Sequence, residues 1–261
     1  MIYPEFMERL LSLENLGWCE YFSDQLNQES AEKLQPARVI AIHKGACDVS
    51  DGKIVRPAKM TGKLRHQVSA RIDYPTVGDW VLVKSFYDGE FGRLESVLKR
   101  KTLLKRKVAG RTSGEQSIAS NIDTAFIVQG LGENFNLNRL ERYLVMVNES
   151  FIDPILILTK TDLLNENDLD TIRTQVSERF PGVLFYMMSN ETDEGLEEVR
   201  SLFKPKKTYC VIGISGVGKS TLLNSLLGEE VLFTLPVRES DGRGMHSTSW
   251  RELITLKNGA H

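Results

Sequence analysis

The chain has 261 residues, of which 41% are apolar and 26% charged, the balance of a folded soluble protein rather than a disordered one. It contains no run of about 18 uncharged apolar residues, so a membrane-spanning helix is excluded. The opening Met1-Ile-Tyr-Pro-Glu-Phe-Met-Glu8 lacks the basic-then-apolar order of a secretory signal. The net charge of −2 conceals an asymmetry: residues 36–111 carry 17 Lys and Arg against 7 Asp and Glu, and the rest of the chain 16 against 28. A segment at +10 attracts polyanions through counterion release, with no base reading required. Cys19, Cys47 and Cys210 are odd in number and far apart, which gives neither a disulfide framework nor a CxxC metal knuckle. They are expected to be reduced thiols in a cytoplasmic protein.

In chain order, residues 1–35 form an expected helical leader, with Phe6, Leu10, Leu11 and Leu13 at helical spacing, then Trp18, Tyr21 and Phe22. From Ala37 the texture changes to short β-like runs, Arg38–His43, Lys53–Arg56, Asp79–Lys84 and Arg93–Leu98, punctuated by glycine turns. Several short strands within residues 36–111 predict a small all-β barrel. The oligonucleotide-binding (OB) barrel is favoured, and an SH3-like barrel shows much the same pattern. The densest basic run, Lys99-Arg100-Lys101-Thr-Leu-Leu-Lys105-Arg106-Lys107, supplies the candidate RNA-contacting residues.

Residues 112–261 change period again. Buried strands are predicted at Thr124–Val128, Pro154–Leu158, Val183–Met187 and Tyr209–Ile212. Helices are predicted at Asn136–Glu149, Asp168–Phe180, Glu194–Phe203 and Thr221–Leu227. Strands with no polar alternation, separated by helices, describe a parallel sheet covered on both faces.

Two motifs stand on this frame. Gly213-Ile214-Ser215-Gly216-Val217-Gly218-Lys219-Ser220 fits GxxxxGK[ST], with Thr221 opening the following helix. Glycines let successive N–H groups wrap phosphates, and the helix N-terminus adds positive charge. Lys219 reaches the β- and γ-phosphates, and the Ser220 hydroxyl suits Mg2+. Upstream, Thr159-Lys160-Thr161-Asp162 follows a predicted strand. A carboxylate there matches the N1–H and 2-amino donors of guanine and is left unpaired by adenine, which disfavours an ATP-dependent kinase or ATPase. The stem of Lys160 is placed to cover the base, and Ser189-Asn190 to supply backbone contacts to it. The base reader precedes the phosphate loop by some fifty residues, the reverse of the usual GTPase order. That order predicts a circularly permuted GTPase domain.

With these residues in view, the chain resembles the ribosome small-subunit-dependent GTPase A family (RsgA, also called YjeQ). The resemblance is carried by Leu16-Gly-Trp18, Met60–His66, Val77–Val81, Asn121-Ile-Asp123, Phe135-Asn-Leu137 with Arg142-Tyr143-Leu144, Thr159–Asp162, Gly213–Thr221, Gly242–Thr248 and Arg251-Glu-Leu253. It implies an RNA-binding OB barrel, a permuted GTPase domain using GTP/GDP and Mg2+, and late maturation of the small ribosomal subunit through contacts with its rRNA. A cytoplasmic monomer without membrane contact is expected. By the same resemblance, Thr248 or Ser247 meets Mg2+ and the γ-phosphate, and His246 orients the attacking water. Asp241-Gly-Arg-Gly244 fits DxxG only formally, since no buried strand leads into it. Family chains run on into a DxPG segment and a zinc-binding domain, whose ligands are absent from this sequence. The expectation is therefore a shortened family member that binds guanine nucleotide with weakened hydrolysis. The alternative is an RNA-binding assembly factor that uses GTP/GDP only as a structural switch.

Overall fold

The computed structural model describes residues 13–27, 32–84, 91–107, 114–133, 135–228 and 252–261. Five short strands, Gln35–His43 (β1), Ala46–Ser50 (β2), Val55–Met60 (β3), Trp80–Lys84 (β4) and Gly92–Val97 (β5), close a barrel in the order β1-β2-β3-β5-β4. All neighbours are antiparallel except β3 and β5. Val39, Val49, Val81, Val83 and Leu94 fill the interior. The five-stranded closure, with a short helix at Gly62–Gln67 between β3 and β4, is that of an OB barrel. The strand β2 is not evident from the sequence, because Asp48 and the flanking turns interrupt its apolar pattern.

Within the described part of the leader, a 3-10 turn forms at Leu13–Leu16 and one helical turn at Glu20–Ser23, and residues 32–33 are helical. They serve as a lid on the barrel's outer face. Trp18 and Phe22 pack on Trp80 with ring centroids 4.7 and 5.7 Å apart.

After the barrel, Leu103–Lys107 (β6) and Glu115–Ser120 (β7) pair antiparallel as a separate ribbon. Leu104, fully buried, packs with Ile122, Ala125 and Leu140 rather than with the barrel core. The four parallel strands are Thr124–Gly130 (β8), Asp153–Thr159 (β9), Leu184–Met188 (β10) and Tyr209–Ile212 (β11), ordered β10-β9-β8-β11. Successive residues of β8 and β9 serve opposite faces. Ala125, Ile127, Leu156 and Leu158 meet helices Leu137–Asn148 and Glu166–Arg179 on one side. Phe126, Val128 and Ile157 meet Leu196–Ser201 and Lys219–Leu227 on the other. Both faces are thus dry, which explains the missing polar alternation. Asn136 and Asn165 cap their helices by accepting from Arg139 N and Asp168 N, each at 3.0 Å.

The barrel and the parallel sheet are joined by buried polar contacts. Arg38 of β1, 1% exposed, donates to Leu16 O, to Gly78 O at 3.4 Å and to Thr208 Oγ1 at 2.7 Å. Burial lowers its pKa to about 10, against the opposing pull of Asp123 and Asp79, and leaves it charged at neutral pH. The segment 252–261 runs between the two modules. Leu253 N donates to Ile40 O at 2.7 Å, and Tyr209 N to His261 O at 2.7 Å.

The His261 ring sits in this junction, with Nε2 donating to Asn15 O at 2.6 Å and Nδ1 opposite Thr255 Oγ1 at 3.1 Å. Burial first, then the charge of Arg38, pushes its pKa down from 6.5 to about 4. The unfolded chain therefore takes up this proton first, and stability declines as pH falls from about 6.5 toward 4. The decline from this one group is at most about 3 kcal/mol. His261→Gln is expected to flatten the fall in melting temperature between pH 7 and 5. An identical pH profile for wild type and variant would show that His261 does not contribute to it.

Candidate nucleotide-binding site

Because the four strands of the sheet are parallel, the loops leaving β8, β9, β10 and β11 share one edge, the edge where open α/β sheets bind ligands. Register sets their spacing: Thr159 lies level with Gly130 on one side and Met188 on the other. The hydroxyl of Thr159, fully buried, donates to Val217 O of the phosphate loop at 2.7 Å. One hydrogen bond thus ties together two motifs that are far apart in sequence.

The phosphate loop has the backbone its glycines permit. Gly213 (φ 154°), Gly216 (φ 79°) and Gly218 (φ 90°) lie at positive φ. A Cβ on Gly213 would stand 2.3 Å from Val128 O, so the chain enters the loop in contact with β8. Gly218 precedes the nine-residue helix Lys219–Leu227, directing free N–H groups into the loop. Lys219 Nζ donates back to Ile214 O at 2.5 Å, and burial lowers its pKa. A half-buried ammonium at a helix N-terminus, inside a loop of free amides, fits a polyphosphate.

The base-reading loop is equally defined. Lys160 takes a left-handed conformation (φ 66°), and its Cδ and Cε lie 3.3 and 3.6 Å from where a Cβ on Gly130 would stand. Its stem therefore lies across the end of β8. The exposed carboxylate of Asp162 accepts a 2.5 Å bond from Ser189 Oγ, which in turn accepts from Glu191 N and Thr192 N. Ser189 is fully buried, so this bond sets the Asp162 carboxylate on a rigid support. Thr161 Oγ1 and Asn190 Oδ1 are buried without partners among the described residues.

Sequence reasoning assigns Ser189 only a backbone role; its side-chain bond to Asp162 and the part of Gly130 emerge only from strand adjacency. His246, Ser247, Thr248 and Asp241–Gly244 lie outside the described residues.

The basic run divides into internal and outward groups. Arg100 does not present its guanidinium to a partner, as its place in the run suggested. It bonds Asp79 at 2.7 and 2.8 Å and the carbonyls of Ile72 and Tyr74, with 14% side-chain exposure. Asp79 is fully buried, and that ion pair belongs to the fold. Lys101 Nζ sits 2.9 Å from Cys19 Sγ and over the Phe22 ring at 5.2 Å. Lys99 is exposed, its backbone pinned by Gln25. Lys105 pairs with Glu115 at 2.8 Å and Arg106 with Gln116 at 3.2 Å on the exposed ribbon, and the Lys107 backbone continues β6. Burial pushes the Cys47 and Cys210 thiols up to about 12, which makes them inert. Among the described residues no three His, Cys, Asp or Glu gather as a metal site, and no helix is long and apolar enough to cross a membrane.

A phosphate loop and a carboxylate loop that share one sheet edge, with the carboxylate loop first in the chain, define a P-loop GTPase fold entered part-way round its sheet. The RsgA GTPase family matches residues 97–261. The small ribosomal subunit biogenesis GTPase RsgA of Opitutus terrae is 34% identical over 258 residues, covering 96% of this chain and 70% of that protein. Among solved structures, YjeQ from Thermotoga maritima aligns over 87% of this chain and 72% of its own, with TM-score 0.64 and 24% identity, a likeness of fold. YloQ, described as a circularly permuted GTPase, aligns over 77% of this chain and 67% of its own, with TM-score 0.56 and 26% identity. The chain belongs to the RsgA GTPase family, whose members are GTP hydrolases that bind guanine nucleotide and Mg2+.

Thr159→Val removes the donor to Val217 O and leaves that carbonyl unpaired. The expected loss of stability is about 1–2 kcal/mol by denaturant titration, with Thr159→Ser restoring most of it. Equal stability of the valine variant would show that the two loops are not held together by this bond.

Proposed function

We propose that this chain binds GTP across the edge formed by Asp162 and Lys219, hydrolyses it, and acts in late maturation of the small ribosomal subunit. The observation that carries the proposal is the Thr159–Val217 bond, which brings a guanine-type carboxylate loop against a phosphate loop. The relatives' names supply the ribosomal context.

In this proposal Asp162, braced by Ser189, accepts from N1–H and the 2-amino group of guanine, and Lys160 covers the base. The amides of Gly213–Lys219 cradle the phosphates. Lys219 releases Ile214 O and donates to the β- and γ-phosphates, placing its charge where negative charge grows during transfer. Ser220 and Thr248 would hold Mg2+, which would supply neutralisation of phosphate charge, and His246 would orient the attacking water. Catalysis of this kind is mainly positioning and electrostatics, so the rigid support of each group matters more than its intrinsic reactivity.

Residues 36–111 make up the RNA-facing module in this proposal. Lys99, Lys101, Lys105, Arg106 and Lys107 contact rRNA phosphates, while Arg100 maintains the fold. The protein acts as a cytoplasmic monomer.

Asp162→Asn is expected to weaken GDP binding at least 100-fold and to favour xanthosine diphosphate, whose 2-oxo group accepts from the new amide. Unchanged guanine preference in the variant would show that Asp162 does not read the base. Phosphate release is expected to rise when small subunits are added. Unstimulated release would favour the structural-switch alternative. Charge reversal at Lys105, Arg106 and Lys107 is expected to weaken RNA binding and to reduce the salt slope by about 0.7–0.9 for each phosphate that is no longer neutralised. An unchanged slope would place RNA elsewhere.

A further inference from the structure

Cys19 and Lys101 meet where the leader, the barrel and the foot of the parallel sheet come together. The Lys101 ammonium donates to Cys19 Sγ at 2.9 Å across a separation of 82 residues. Both side chains line a cavity of about 750 Å3, which Trp18, Arg38, Phe151 and Lys207 also line. Their backbones are held independently of that contact. Phe22 N donates to Cys19 O at 2.9 Å, and Lys101 N to Asn121 Oδ1 at 2.8 Å. Tyr21 Oη donates to Arg100 O at 3.2 Å and Gln25 Nε2 to Lys99 O at 3.3 Å, which fastens the leader's helical turn to the start of the basic run. The ammonium lies 5.5 and 5.2 Å from the ring centroids of Tyr21 and Phe22, and among the described residues no carboxylate forms an ion pair with it. A thiol is a weak acceptor, so the contact adds little to stability. Cys19 is half-buried and opens on the cavity, whereas burial raises the thiols of Cys47 and Cys210 to about 12 and keeps them protonated. One accessible sulfur is thus held against one amine, and the GTP chemistry uses neither.

We propose that Cys19 and Lys101 are a modification site, where a peroxide oxidant closes a covalent sulfur–nitrogen bridge between the leader and the basic run. The Cys19 sulfur attacks hydrogen peroxide that enters through the cavity: an S–O bond forms, the O–O bond breaks, and the second oxygen leaves as water. Sulfur is oxidised to sulfenic acid and the peroxide is reduced. The Lys101 ammonium gives a proton to solvent, and its nitrogen attacks the sulfenic sulfur. An S–N bond forms, the S–O bond breaks, and a second water leaves. The contact at 2.9 Å makes this closure intramolecular, so it outpaces capture of the sulfenic acid from solution. A thiol reverses the bridge by attacking sulfur, which forms a mixed disulfide and returns the amine. The bridged nitrogen is uncharged. On the reading that Lys101 meets rRNA, oxidation removes one phosphate contact; the bridge itself does not depend on that reading.

The test treats the full chain with hydrogen peroxide, digests it without reductant and maps the peptides by mass spectrometry. Wild type is expected to yield a linked pair of peptides carrying Cys19 and Lys101, lighter than their sum by two hydrogens and released by dithiothreitol. Lys101→Arg keeps the charge but removes the amine nucleophile. In that variant Cys19 is expected to stay as sulfenic acid and to take up dimedone at least about tenfold more than in wild type. Cys19→Ser is expected to give neither product. Equal dimedone labelling of Cys19 in wild type and Lys101→Arg would overturn the assignment. So would oxidation confined to Cys47 and Cys210, or a linked pair that persists in Cys19→Ser. RNA binding by the bridged chain is measured alongside, and its salt slope is expected to fall by about 0.7–0.9. An unchanged slope in a chain shown to be bridged would remove Lys101 from the rRNA contacts and leave the modification site standing.

Discussion

The site depends on strand order. With β8 between β9 and β11, and all four strands parallel, the loop after β9 and the loop after β11 are brought to one edge with a single strand between them. The hydroxyl of Thr159 spans that gap to Val217 O at 2.7 Å. Neither loop is rigid by composition: one is rich in glycine, the other holds a lysine at positive φ. Each gains definition from contacts beyond itself. Gly213 lies against Val128 O, Lys160 against Gly130, and Asp162 on the buried Ser189. A parallel sheet tolerates a new entry point because its edge is built from neighbours in space. Reversing the order of the motifs along the chain therefore leaves their geometry intact.

A second set of contacts joins this sheet to the barrel. Arg38 binds the leader, the loop before β4 and Thr208 at the foot of β11, the strand that ends in the phosphate loop. Close by, the part-buried Arg100 pairs with the fully buried Asp79, and Ser120 Oγ donates to the same carboxylate at 2.5 Å. Gly78 is constrained too, since a Cβ there would stand 2.2 Å from Ser120 O. These polar groups are satisfied only when barrel, ribbon and sheet are assembled together. Buried charges that lose one partner are strongly unfavourable, so this junction favours one relative placement of the modules.

Much of this is legible in the sequence. The four parallel strands and their helices follow from apolar runs too long for alternation, and both nucleotide motifs follow from residue type and spacing. The barrel is visible as short runs between glycine turns, but β2 is obscured because Asp48 and Ser50 occupy a strand of only five residues. The ribbon is hidden for a related reason. In Leu103–Lys107 the charged residues mask the buried side chain of Leu104, and its partner strand is weakly apolar. Arg38 and Arg100 contribute to the segment's positive count yet lie inside the fold, because charge counting cannot distinguish an arginine that meets carbonyls from one that meets solvent. Ser189 and Gly130 act through neighbours on adjacent strands, and adjacency of strands is not written at any one position.

The most direct measurement is a crystal or cryo-EM structure of the chain with GDP and Mg2+. One bound nucleotide is expected, its base edge within hydrogen-bonding distance of the Asp162 carboxylate and its β-phosphate in contact with the Lys219 ammonium. A nucleotide bound with its base away from Asp162, or phosphates held without Lys219, would contradict a site built by these two loops.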